Sequence, residues 1–243
     1  MVNQILAEWT KLRTTASFWW TSGLAIVFGA FYGALLGWAA KMSNTPYVPI
    51  TVIASVMLTT VVVLIVQQAM MVTTEYRFGI PATNFRIRPV RWQVGVAKLL
   101  LGAVLAAVVT LITLVVAFVL GDVMAPVAAD WPSNPASRRA LWALPVGVVL
   151  VTMFTQGVGW LVRNTAGTIV VALGMLLVVE SVVGFIPRYG PDVVKFLPFN
   201  NLLAFMTNQP TQHWELQQSV AIFVVWAVVV WLAGMVALTR RDA

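Results

Sequence analysis

The chain has no cysteine and a single histidine among its 243 residues. Disulfides and thiolate metal sites are therefore excluded. His213 lies in a polar stretch, cannot build a metal or catalytic cluster alone, and reads as a loop residue. Charge is also scarce, with Asp, Glu, Lys and Arg at 9% where soluble domains carry about 25%. No G-x-x-x-x-G-K-S/T loop occurs, nor any Gly-Lys pair, so ATP hydrolysis is not expected of this chain. Ser-His-Asp sets, carboxylate pairs and His clusters are missing too, which leaves an enzyme reading without residues. Catalytic, cofactor and metal residues are each expected to be none.

Apolar residues are what the chain has in quantity, at 60%. Uncharged runs of about 18 residues or more read as spanning helices. After Arg13 no charge appears until Lys41, and the pattern predicts spans at 17–40, 50–72, 98–121, 140–162, 167–186 and 216–239. Glu180 interrupts the fifth of these, but the run before it is too apolar to leave in water. The first run follows Lys11 and Arg13 as a signal peptide would, yet it far exceeds an h-region of about 7 to 15 residues and is read as retained. The expected fold is an all-α integral membrane protein, one transmembrane domain over residues 1–243 with six transmembrane helices.

Six spans put both termini on one side. With the N-terminus cytoplasmic, ten of the fifteen cations face inward, and the whole formal charge of +7 lies on that side. The basic character then addresses anionic headgroups or a cytosolic partner, not nucleic acid. Residues 1–16 add an interfacial elbow helix. At 100° per residue Ile5, Trp9 and Leu12 share an arc with Leu6 at its edge, and Gln4, Glu8 and Lys11 lie opposite.

Within the spans, Gly29, Gly33 and Gly37 form an i, i+4 ridge that serves either helix packing inside the chain or a homodimer seam. Gln67, Gln68 and Gln156 are costly amides in lipid. They either line a polar pathway or bond between helices to fix packing. Glu180, the one carboxylate within an otherwise apolar helix, reads either as part of a pathway or gate, or as a structural group reaching water or Arg188. Residues 187–215 are too proline-rich to span and too apolar for a free loop. Short helices there, near 192–196 and 201–206, are expected to dip into the outer interface.

Charge becomes dense only in "TTEYRFGIPATNFRIRPVRWQ", Thr73 to Gln93, with Glu75, Arg77, Arg86, Arg88 and Arg91. The topology makes 73–97 a cytoplasmic connection. It is either a handle for a motor protein, with Glu75 in the first turn of a short helix and Arg77 free for a partner carboxylate, or a solvated basic loop. "TTEYRFGI" followed by "RPVRWQVGVAKLL" resembles the loop of ABC-2 type transporter permeases of the actinobacterial kind, at Glu75, Tyr76, Gly79, Pro89, Arg91 and Lys98. "AEWTKLRTT" from Ala7 resembles the N-terminal interfacial helix of the same family. Pro81 departs from the pattern, standing where the family continues a helix.

The resemblance implies an ABC-2 (type V exporter-like) permease fold, pairing with a second permease copy or a paralogue and with two copies of a separate ABC ATPase that binds ATP and Mg. Glu75, Tyr76, Arg77 and Gly79 would couple to that ATPase, and the short helices of 187–215 would line the outer gate. Such a permease would export a hydrophobic or amphiphilic cargo, such as a drug, an antimicrobial peptide or a lipid, across the cell membrane. The alternatives are a stand-alone secondary transporter or channel, or a non-transporting membrane anchor for a cytosolic ATPase.

Overall fold

A helix rises 1.5 Å per residue, so about 20 residues cross the roughly 30 Å apolar layer of a bilayer. Six helices of the computed structural model, which describes residues 1–79 and 90–240, meet that length and are apolar enough to cross a membrane. They are α2 (Ala16–Ser43), α3 (Pro49–Arg77), α4 (Arg91–Met124), α5 (Pro135–Val162), α6 (Thr165–Gly184) and α9 (Leu216–Arg240). The described residues also form short helices: α1 (Val2–Arg13) before the first span, and α7 (Gly190–Val194) and α8 (Pro198–Thr207) between α6 and α9. α6 carries one π-helical turn, Met175–Val179, just before Glu180.

The helices extend past the apolar runs that predict them. α3 continues to Arg77, not 72, and α4 starts at Arg91, not 98. Thr73 to Arg77 contains neither glycine nor proline, and a helix that satisfies its own backbone has no reason to stop where hydrocarbon ends. The 73–97 connection is thus helical at both ends. Its middle, with Pro81, Arg86, Arg88 and Pro89, lies outside the described residues.

α3 and α5 form the middle of the bundle, where Val52, Val61, Leu64, Ile65, Leu144, Val148 and Val151 are almost inaccessible. α2 packs along α4 through the glycine ridge. A Cβ on Gly29 would stand 2.8 Å from the Thr113 carbonyl oxygen, and Cβ atoms on Gly33 and Gly37 would run into the carbonyls of Ala117 and Gly121. Of the two uses open to this ridge, packing inside the chain is the one realised, and α4 occupies the space a second copy would need. No hydrophobic drive separates helix from lipid in a bilayer, so this backbone approach and its dispersion contacts hold the pair.

α1 corrects the expected orientation of its faces. Glu8 is its buried residue, Gln4 and Lys11 are half-buried, and Leu6 is exposed. The polar stripe faces the protein, where cationic and carboxylate partners wait, while Ile5, Trp9 and Leu12 of the apolar arc are half-buried as well and Trp9 packs edge-on against Phe18.

At the opposite end, Asp122 accepts the amides of Ala129 (3.0 Å) and Trp131 (3.1 Å) and shapes the turn before α5. Asn134 caps α5 by accepting from Ala136 and Ser137. α7 and α8 fall within the 187–215 block, close to the short helices its composition predicts.

Candidate functional site

Lys98 lies two turns inside α4 and only 2% of its side chain is exposed. An ammonium so placed needs full compensation. Its three N–H groups find it: Nζ donates to Glu8 Oε2 at 2.5 Å, to Glu75 Oε1 at 3.0 Å and to the Met71 carbonyl at 3.3 Å. Lys11 completes the network, donating to Glu8 Oε1 at 2.8 Å and Glu75 Oε1 at 2.9 Å. Burial disfavours the Lys11 ammonium, but the Glu75 and Glu8 carboxylates outweigh that and hold its pKa above the ordinary lysine value. Two acids and two bases from α1, α3 and α4 thus form one neutral knot.

A second polar layer lies next to it. Gln156 Nε2, from α5, donates to Gln68 Oε1 (2.9 Å) and to the Lys98 carbonyl (3.1 Å). Gly102 makes room, since a Cβ there would approach Gln68 Oε1 to 2.5 Å and Gln156 Nε2 to 2.6 Å. Gln67 Nε2 ties α3 to α2 through Ser22 Oγ (2.8 Å), Thr21 Oγ1 (2.9 Å) and the Phe18 carbonyl (3.3 Å). The glutamines bond between helices, and Gln67 and Gln68 also border a cavity of about 380 Å³. Its walls come from α1 to α4 and include Glu8, Lys11, Phe18, Met71, Glu75 and Lys98.

Glu75 departs from its expected position. It does not open a short helix but sits in the last turn of α3, facing inward. A carboxylate at a helix C-terminus is disfavoured by the macrodipole, and two ammonium groups offset that here. Tyr76 packs edge-on against Trp160, with the Arg163 guanidinium 5.1 Å from its ring. Arg77, Phe78 and Gly79 are exposed, with Arg77 over the Phe78 ring, and Gly79 takes the left-handed φ of +64° that ends the helix. Arg91 Nη1 and Arg163 Nη2 donate to the carbonyls of Leu238 and Ala237, bringing the end of α9 to the same face of the bundle.

Glu180 stands far from this knot. Its oxygens accept the amides of Phe199 (2.6 Å) and Asn200 (2.5 Å), the second and third residues of α8. It is an anion at a helix N-terminus, where both dipole and free amides favour it. Its partners are backbone groups of α8, and Arg188 forms no ion pair with it among the described residues.

Sequence reasoning missed Glu8 as a site residue and gave Lys98 only a place in a motif. The signal existed: an ionisable group in an apolar run must be paired, and Glu8 and Glu75 are two of the three acids, with Asp242, that the charge count places on that side of the membrane.

The model of the family described as ABC-2 family transporter protein matches residues 4–184 of this chain. The chain belongs to the ABC-2 transporter family. No match is found among curated proteins. The matched stretch holds every member of the ion knot, the three glutamines and the exposed end of α3, and it ends with α6. This ABC-2 protein is a multi-pass membrane permease subunit, and proteins of its family typically work with an ABC ATPase.

Proposed function

We propose that this permease subunit serves an ATP-driven exporter of hydrophobic or amphiphilic cargo. Two copies of a separate ABC ATPase would bind ATP and Mg and dock on the end that carries α1 and the α3–α4 connection. That end is the cytoplasmic one, since it collects the formal positive charge. A second permease copy, identical or paralogous, completes the unit.

One observation carries the reading: the exposed tip Arg77–Gly79 is joined, one turn away, to α1 and α4 by the Glu8–Lys98–Glu75–Lys11 knot. A push on the tip of α3 therefore reaches three elements together, and Gln67 passes it to α2. Arg77 is the residue with which an acidic groove on the ATPase would pair, while Glu75 transmits and does not dock. A stand-alone transporter needs an ionisable group free within the membrane, and both oxygens of the Glu180 carboxylate are committed to α8.

The test is to reconstitute the chain in lipid with a candidate ABC ATPase and to measure vanadate-sensitive hydrolysis. A stable complex whose hydrolysis rises in the presence of the permease supports the reading. Failure of any ATPase to bind or respond overturns it.

A further inference from the structure

The 380 Å³ cavity between α1, α2, α3 and α4 falls within the range of small-molecule sites, about 300 to 1,000 Å³. Leu12, Phe18, Met70, Met71, Phe78 and Leu105 supply its apolar wall, and the ion knot, with hydroxyl and amide side chains beside it, supplies a polar edge. The chemistry of that edge follows from which hydrogen-bonding positions are already used.

Lys98 has three N–H groups and three acceptors, so it has nothing left to offer. Lys11 uses two N–H groups on Glu8 and Glu75, which leaves one, on a side chain 40% exposed. Glu75 receives both lysines on Oε1, and Oε2 accepts no hydrogen bond from the described residues. Within the ion knot one donor and one acceptor thus remain side by side on the cavity edge, on residues already joined at 2.9 Å, and Gln67 Oε1 on the same lining is a further acceptor without a partner among the described residues. The four charges of the edge cancel. A head of either sign would put an uncompensated charge into this half-buried place, where it is expensive. A group that donates to Glu75 Oε2 and accepts from Lys11 Nζ pays no such penalty, and hydroxyls and amides do both.

We infer that this cavity binds an uncharged amphiphile whose head carries hydroxyl or amide groups, with its chain along the Met70, Met71, Phe78 and Leu105 wall. Such a molecule could come from the membrane as a neutral lipid or from the cytoplasm as the exported compound. The second source rests on the exporter reading; the binding itself does not.

Three probes with one alkyl chain and one diazirine separate the possibilities: a monoacylglycerol, an alkyl ammonium and a fatty carboxylate. Each is photolysed with the full chain in liposomes, without any ATPase, and adducts are mapped by mass spectrometry. The monoacylglycerol is expected to label cavity residues at least about fivefold more than either charged probe at equal membrane loading. Met70→Trp, which fills the cavity from its half-buried wall, should lower that labelling by a similar factor, and Leu105→Phe serves if the first variant does not fold. Equal labelling by charged probes, or adducts spread over the lipid-facing sides of α2 and α9 with no excess in the cavity, would overturn the inference. Adding ATPase and ATP then identifies the source. A fall in cavity labelling marks an exported compound, and unchanged labelling marks a resident lipid. Failure of an ATPase to bind would leave the first result standing, so the two readings fail separately.

Discussion

Replacing Lys98 by methionine removes the ammonium to which Glu8, Glu75 and the Met71 carbonyl are all bonded. Lys11 alone then faces two carboxylates, and one negative charge stays uncompensated where Glu8 is 1% and Glu75 12% exposed. Breaking a buried pair by deleting one partner costs about 3–5 kcal/mol, so Lys98→Met should lower stability by that amount, or more than two decades in the folded-to-unfolded ratio. Glu8→Gln alone leaves the opposite imbalance, two ammonium groups against Glu75, and should also destabilise. The double variant Glu8→Gln/Lys98→Met leaves only the Lys11–Glu75 pair, which is neutral. It should recover about 0.5–3 kcal/mol relative to the sum of the singles, the usual range for groups in direct contact. Reversible unfolding in mixed micelles, run as a double-mutant cycle, measures this. Singles within about 0.5 kcal/mol of wild type and an additive double would refute the claim that the knot ties α1, α3 and α4 together.

Other outcomes follow from single contacts. Gly33→Ala places a methyl against the Ala117 carbonyl and should destabilise by about 1–3 kcal/mol, whereas Gly23→Ala, with nothing within 4 Å, should be neutral or slightly stabilising. A comparison of folded yields checks both. Glu180→Ala frees the Phe199 and Asn200 amides and should cost about 0.5–2 kcal/mol, as loss of a helix cap does. Hydrogen exchange should quicken at those two amides and stay unchanged in α5; equal protection in the variant would remove Glu180 from its capping role.

The six spans and the short outer helices were legible because lipid imposes a simple rule, long uncharged runs broken by charge and proline. Helix ends were less legible, since backbone bonding carries α3 five residues beyond Val72 and starts α4 seven before Lys98. The face of α1 was misread for a physical reason. A helical wheel assumes that polar residues seek water, but Glu8 and Lys11 seek Lys98 and Glu75, which lie 90 and 64 residues away. Glu75 illustrates the same limit. Its motif was visible, its inward direction was not, and for that reason the proposed docking contact is assigned to the exposed Arg77 beside it. Glu180 could be noticed from sequence, but its partners are backbone amides, which no pattern of side chains reveals.

Absence of cysteine makes the docking face directly measurable, because any introduced thiol is unique. Arg77→Cys places one at the tip of α3, and Arg138→Cys places one on the exposed first turn of α5 at the other end of the bundle. Each variant, reconstituted with the ATPase, is treated with a short heterobifunctional thiol–amine reagent. A crosslink that changes with nucleotide is expected from position 77, and none from position 138. A crosslink from 138, or none from 77 in a complex that still hydrolyses ATP, would contradict that expectation.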